Sequence, residues 1–251
     1  MSDLTTETIT APDGTHIAVH RMGAGRPVLM LHGLFSNAEI NWQKFGHAAL
    51  LAANGFEAIM PDWRVHGHSD APHDPELYSP GVLVRDAQHI VKVLGLDDYD
   101  LVGFSLGART ATSAVIAGLR PRRLVLAGMG IEGLTNWEKR AAFFIDMIDR
   151  YDEIEHGDPA FLAKSFMKTQ GIDRVAARLL MTRGVEDIAT DDLSKIDMPV
   201  LVLIGDQDRD NGSPDRLAAA LPDARVQVIP GNHMSSVTKP DMGQAILDFL
   251  S

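Results

Sequence analysis

The chain contains no cysteine. Disulfides, thiolate zinc sites, iron–sulfur clusters and a cysteine nucleophile are therefore excluded. Basic residues are in short supply: 23 Lys and Arg face 34 Asp and Glu, a formal net charge of −11. A surface of that sign repels a phosphate backbone, so no nucleic-acid partner is expected. Long apolar runs are missing too. Stretches such as Val28 to Leu31 fall far short of the ~20 apolar residues that span a bilayer, so no membrane partner is expected. The opening Met-Ser-Asp-Leu-Thr-Thr-Glu is polar and acidic. It has no basic stretch followed by an apolar one, so a cytoplasmic address is expected.

What remains is ordinary globular material, 45% apolar and 23% charged over 251 residues, enough for one α/β domain with an insertion. Residues 5–21 alternate on either side of Pro12-Asp13-Gly14 and predict a hairpin. The unbroken run Val28 to Leu31 suits a parallel strand buried on both faces. A helix over 39–54 and a strand over 56–60 follow. Val82, Leu83, Ile90, Val91 and Leu94 recur at helical spacing over 82–94. Further strands are predicted at 100–102, 123–127, 200–204 and 225–229. Further helices are predicted at 106–117, 214–221 and 240–250, the first of the last two opened by Ser213-Pro214. Repeated β-α-β units give a mainly parallel sheet of about eight strands with helices on both faces.

That rhythm breaks over 131–195, where no strand-like run occurs. Phe143, Phe144, Met147, Ile148, Phe161, Leu162 and Phe166 sit there at helical spacing. The segment reads as a helical cap inserted between a core formed by 1–130 and 196–251. Most of its apolar residues are expected to pack the cap onto the core, with a few lining a pocket.

The chemistry centres on Gly103-Phe104-Ser105-Leu106-Gly107, a G-x-S-x-G pentapeptide that leaves a strand and opens a helix. The sharp turn requires small residues two before and two after the serine, and both are Gly. It lifts the hydroxyl to the carboxyl end of the sheet, where open α/β sheets place their sites. A serine hydroxyl needs a base. His233, in Gly231-Asn232-His233 between the last strand and the last helix, suits that role. The base needs an acid to orient it. Gly205-Asp206-Gln207-Asp208-Arg209-Asp210 offers three carboxylates. Asp208 is favoured, with Asp206 read as structural, Asp210 as solvated or capping, and Glu132 as an outside candidate. Backbone N–H groups of Leu106 and Leu34 are the expected oxyanion donors. His32 reads as a buried structural histidine.

With these residues in hand, the chain resembles the α/β-hydrolase superfamily over its whole length. The matching pieces are His32 to Phe35, Asp62 to Ser69, Gly103 to Gly107, Gly205 to Asp208, and Gly231 to His233, in the chain order Ser, Asp, His. His32-Gly33-Leu34-Phe35 with Asn41-Trp42 is similar to a subgroup of small carboxylesterases and thioesterases. The resemblance implies acyl transfer through Ser105, with no metal or organic cofactor, on a small-to-medium hydrophobic ester. Thioesters, lactones, perhydrolysis and C–C bond hydrolysis use the same triad. Hydroxynitrile lyases and cofactor-free dioxygenases share it as well. Haloalkane dehalogenases and epoxide hydrolases of this fold carry Asp where this chain has Ser105. Val65 departs from the Gly or Asn of many relatives and is expected to shape its turn. Monomer and homodimer are both open.

Three signals point elsewhere. Gly128-Met129-Gly130-Ile131-Glu132-Gly133 matches G-x-G-x-x-G, but it falls late for a dinucleotide fingerprint and reads better as a tight strand exit. A dinucleotide-binding oxidoreductase is thus a distant alternative, as is a ligand-binding member of the fold without turnover. His66-Gly67-His68 has no third ligand at zinc spacing and reads as a turn with exposed or partly buried histidines. Arg109 is expected to make a structural salt bridge.

Overall fold

The computed structural model describes residues 4–185 and 187–251. Among them the chain forms eight strands: β1 (Leu4–Thr10), β2 (His16–Gly23), β3 (Arg26–Leu31), β4 (Phe56–Pro61), β5 (Asp100–Phe104), β6 (Leu124–Ala127), β7 (Val200–Gly205) and β8 (Ala224–Ile229). They make one sheet in the order β1-β2-β4-β3-β5-β6-β7-β8. β1 and β2 are the expected hairpin, and β2 meets β4 antiparallel. The strands from β4 to β8 pair in parallel. The predicted α/β architecture with a mainly parallel sheet therefore holds. β3, β5, β6 and β7 lie in the middle, and apart from the start of β3 every residue in them is buried, which is why they read as apolar runs instead of alternations.

Helices α1 (His47–Ala53), α2 (Val82–Val93) and α3 (Leu106–Ile116) connect the first half of the sheet. Between β6 and β7 come α4 (Ile131–Thr135), α5 (Trp137–Asp149), α6 (Phe161–Thr169) and α7 (Arg174–Arg183). Helices α8 (Pro214–Ala219) and α9 (Pro240–Leu250) complete the chain. Ser213 caps α8 by accepting the N–H of Arg216, with Pro214 in the first turn.

One prediction needs correcting. The helix expected over 39–54 is two pieces: a π-type turn, Glu39–Gln43, and then α1, separated by Gly46 in the left-handed region at φ 83°. A tertiary demand breaks the run. Trp42 is fully buried, and Asn41 turns inward to accept the N–H of Gly33 at 3.0 Å.

The sheet order reverses beside β3, which has β4 on one side and β5 on the other. Loops from the carboxyl ends of β3 and β5 therefore diverge there and open a crevice at the switch point. Two apolar layers flank the sheet. One gathers Leu29, Leu31, Leu101 and Leu126 with α2, α3 and the helices of 131–195. The other gathers Val28, Met30, Val102 and Leu203 with α1 and α9. No helix among the described residues is long and apolar enough to cross a membrane.

Candidate active site

Ser105 stands in the one-residue turn between β5 and α3, at φ 52° and ψ −112°. A non-glycine residue adopts such a conformation only when its surroundings impose it. Here the helix is pressed against the strand. A Cβ on Gly103 would lie 2.4 Å from the carbonyl oxygen of Gly107, and one on Gly107 would lie 2.0 Å from that of Leu31. Both glycines of the motif are thus required by close backbone approach.

His233 faces this serine. Its Nε2 lies 3.0 Å from Ser105 Oγ, and its Nδ1 lies 2.8 Å from Asp208 Oδ2. A carboxylate only accepts, so Nδ1 carries the proton and Nε2 is left to accept from the hydroxyl. All three residues are nine-tenths or more buried. The ring of Phe104 stacks on His233 at 5.0 Å between centroids. Burial by itself would raise the Asp208 pKa, but the hydrogen bond and charge of His233 and the N–H of Asp210 outweigh it and hold the carboxyl below its usual range.

The loops carrying acid and base are stitched together. Asp206 Oδ1 accepts the N–H of Gly231 at 2.8 Å, and Gln207 donates its N–H to the Gly231 carbonyl at 3.0 Å. Asp206 is thus structural, as its place in the sequence suggested. Asp210 is exposed and gives its N–H to Asp208 Oδ1. Glu132 turns away from His233 to accept from the N–H of Ser213 and from Arg216.

The loop after β3 supplies the other half of the crevice. Among its N–H groups, Gly33 donates to Asn41, Phe35 to His66 Nε2, and Ser36 to the Gly33 carbonyl. Leu34 donates to none of the described residues. Leu106 is the first residue of α3, whose N–H has no intrahelical acceptor. Leu34, Leu106 and Ser105 all line one small recess of about 20 Å³. Asn41 and His66 hold this loop in place. Their contacts join residues 8 and 31 apart in the chain, so sequence spacing alone did not reveal them.

His66 is buried, contrary to the exposed or partly buried turn residue expected. Its Nδ1–H donates to the Arg64 carbonyl while Nε2 accepts from Phe35, and burial, reinforced by neighbouring His32, lowers its pKa to about 3. His32 likewise donates to the Gly33 carbonyl and accepts the N–H of Trp63. His68 is exposed and contacts Asp62, whose carboxylate also meets His20 and the N–H groups of Ala38 and His68. Although ligand atoms of His20, Asp62 and His68 lie within 4.8 Å of one another, Asp62 is already occupied as the hub of this loop. The glycines of 128–133 serve packing: a Cβ on Gly128 would meet Phe104 at 2.7 Å, and one on Gly130 would meet Gly212 at 2.5 Å. Arg109 bonds the carbonyls of Gly133 and Leu134 and pairs with Asp187, as expected of a structural cation.

Above Ser105 and His233 opens a cavity of about 960 Å³. Phe143, Phe144, Leu162 and Phe166 from 131–195 line it, more of that segment's apolar set than expected, while Met147 and Ile148 are buried in the packing below.

A serine raised on a strand-to-helix elbow at the switch point of a doubly wound sheet, met by a histidine and a carboxylate from later strand ends, defines the α/β-hydrolase fold. A family model described as the alpha/beta hydrolase family matches residues 28–242, and the chain belongs to that family. It is 33% identical over 129 residues to an epoxide hydrolase of Caballeronia sordidicola, a match covering 51% of this chain but only 38% of that protein's length. It is 27% identical over 282 residues to a non-heme haloperoxidase of Rhodococcus erythropolis, covering 96% of this chain and 98% of that one. Among solved structures, an esterase from Exiguobacterium antarcticum shares the fold at a TM-score of 0.77 and 22% identity, over 98% of this chain and 99% of that chain.

Proposed function

We propose that this protein is a serine hydrolase that cleaves a carboxylic ester of a small-to-medium hydrophobic substrate through an acyl-enzyme on Ser105. The observation that carries this reading is the continuous chain Ser105 Oγ, His233 Nε2, His233 Nδ1, Asp208 Oδ2, with links of 3.0 and 2.8 Å. His233 takes the hydroxyl proton as Ser105 attacks the ester carbonyl, and Asp208 steadies the resulting imidazolium. The N–H groups of Leu34 and Leu106 receive the developing oxyanion. His233 returns the proton to the departing alcohol. Water, activated by the same base, then releases the acid. Residues 131–195 act as the cap over the core, their aromatic residues supplying the hydrophobic wall.

The elbow residue is serine, so an alkyl-enzyme ester on Asp, which the fold's epoxide hydrolases use, is not the reading favoured here. Perhydrolysis is the second reading, favoured by the full-length match to a haloperoxidase. In it hydrogen peroxide replaces water in the second half-reaction and a peroxyacid leaves.

The test is hydrolysis of 4-nitrophenyl esters from acetate to dodecanoate. Short esters turn over, and Ser105→Ala loses on the order of 10⁴-fold or more in kcat, Asp208→Asn somewhat less. A folded wild type inert on the whole series would remove the esterase reading and favour C–C cleavage or ligand binding. Peroxide-dependent bromination in acetate buffer, lost with Ser105→Ala, would favour the second.

A further inference from the structure

The wall beside Ser105 is not uniformly apolar. Arg140, on α5, lines the large cavity and also the small recess that Ser105, Leu34 and Leu106 share. Its Nη1 donates to the Asp210 carbonyl at 2.7 Å. Among the described residues its guanidinium makes no other hydrogen bond and has no carboxylate within 4.0 Å. Arg64, Arg150 and Arg178, by contrast, each hold one. A guanidinium has five N–H donors in a planar fork, so most of this one's capacity is unspent. Arg140 is half-buried, and burial lowers its pKa, with Asp210 and Asp208 partly offsetting it.

A second donor lies alongside. Trp137 is one helical turn earlier on α5 and lines the same recess. It is 7% exposed, and its indole N–H has no partner among the described residues. A buried donor without an acceptor is costly and calls for an explanation. The acidic neighbours do not neutralise Arg140 directly. Glu132 is held by Arg216 and the Ser213 N–H, and Asp208 by His233. Asp210 presents its carbonyl, not its carboxylate, to the guanidinium.

We propose that Arg140 and Trp137 form an anion subsite next to the nucleophile, and that the natural ester carries a carboxylate on its acyl part, as the half-ester of a dicarboxylic acid does. Arg109 also lines the recess but is paired with Asp187, so the half-buried guanidinium of Arg140 is the one set to match a single negative charge. The charges of Asp208 and Asp210 nearby disfavour a dianion such as a phosphate monoester. The apolar cavity takes the rest of the substrate. This assignment rests on the ester-hydrolase reading.

The experiment compares the 4-nitrophenyl half-ester of glutarate with 4-nitrophenyl valerate, two acyl chains of equal length that differ in a terminal carboxylate or methyl. It uses wild type, Arg140→Gln and Arg140→Lys, each checked for folding by thermal melting. Wild type is expected to favour the half-ester at least tenfold in kcat/KM. Arg140→Gln should cut that ratio at least tenfold, chiefly through KM. Arg140→Lys should recover part, since it restores the charge without the fork. If Arg140 were only a strut for the Asp210 loop, both esters would slow in parallel and the ratio would stay unchanged; that result would overturn the proposal, as would equal wild-type preference. If wild type turns over neither ester, the ester-hydrolase reading fails, and calorimetry with monomethyl glutarate, a monoanion, decides the subsite. Saturable binding lost in Arg140→Gln would sustain it, and no binding would end it.

Discussion

At the scale of single residues, this protein places side chains where backbone sterics resist them. Besides Ser105, Phe35 and Val65 hold positive φ, at 58° and 78°. Val65 is the sharper case, because a β-branched residue is least suited to the left-handed region. It keeps the place because it is 5% exposed within the core cluster, so burial of its two methyl groups offsets the strain. Glycine ordinarily lies about 0.5–1 kcal/mol below alanine in a folded chain. At this position it escapes a left-handed cost of roughly 1–2 kcal/mol. Both Val65→Ala and Val65→Gly should lose the methyl burial, but Val65→Gly should be the more stable of the two, by about 0.5–1 kcal/mol. Urea unfolding of the pair measures this, and a lower midpoint for the glycine variant would show that the strain is absent. The departure at Val65 was visible in the sequence, but not that its backbone would be left-handed.

At the scale of elements, the segment from Asp62 to Ser69 is a polar plug whose side chains bind neighbouring loops. Arg64 reaches α2, where it forms a two-pronged pair with Asp86 at 2.8 and 2.7 Å, and touches Asp13 of the hairpin turn at 2.9 Å. Both members of the Arg64–Asp86 pair are essentially buried. Removing one partner from such a pair strands a charge, whereas replacing both by apolar groups of similar size is far milder. Asp86→Ala should therefore cost about 3 kcal/mol, near the low end of the range because Asp13 remains. Arg64→Met with Asp86→Leu should recover much of that loss. Denaturant midpoints at constant slope decide; a double variant worse than the single one would refute the argument. The helical periodicity of 82–94 was legible in the chain. That Asp86 on its buried face had a partner 22 residues away was not, because charge pairing carries no period.

At the scale of the whole molecule, the site is held by histidines that the fold keeps neutral. Burial depresses His32, His47 and His66, the last to about 3. Such a group is uncharged in the folded chain but takes up a proton on unfolding below its ordinary pKa of about 6.5. Its contribution is complete above that value and is lost as pH falls toward the folded pKa. Asp62 acts further down. Burial opposes its ionisation, but His20, His32 and the N–H groups of Ala38 and His68 bring it to about 2, so its contribution is present above 3.8 and is lost as pH falls toward 2. The melting temperature should thus be level above pH 7 and decline between pH 6.5 and 3. Each buried histidine removes up to about 1.4 kcal/mol per pH unit inside its window. His66→Gln should be less stable at pH 7 yet show a shallower decline. A wild-type melting temperature unchanged from pH 7 to 4 would contradict this account.

The sequence by itself determined the order of strands and helices, the elbow at Ser105, and the later positions of Asp208 and His233. These are local matters: hydrophobic period, turn chemistry, and small residues where chain segments collide. Tertiary structure alone decided the rest. It broke the helix expected over 39–54 so that Asn41 could reach Gly33, and it turned His66 inward onto Phe35. It also set Arg140 beside the nucleophile without a carboxylate of its own. Contacts between distant segments depend on how β3 and β5 diverge at the switch point and where α5 settles above them. No spacing along the chain encodes that distance.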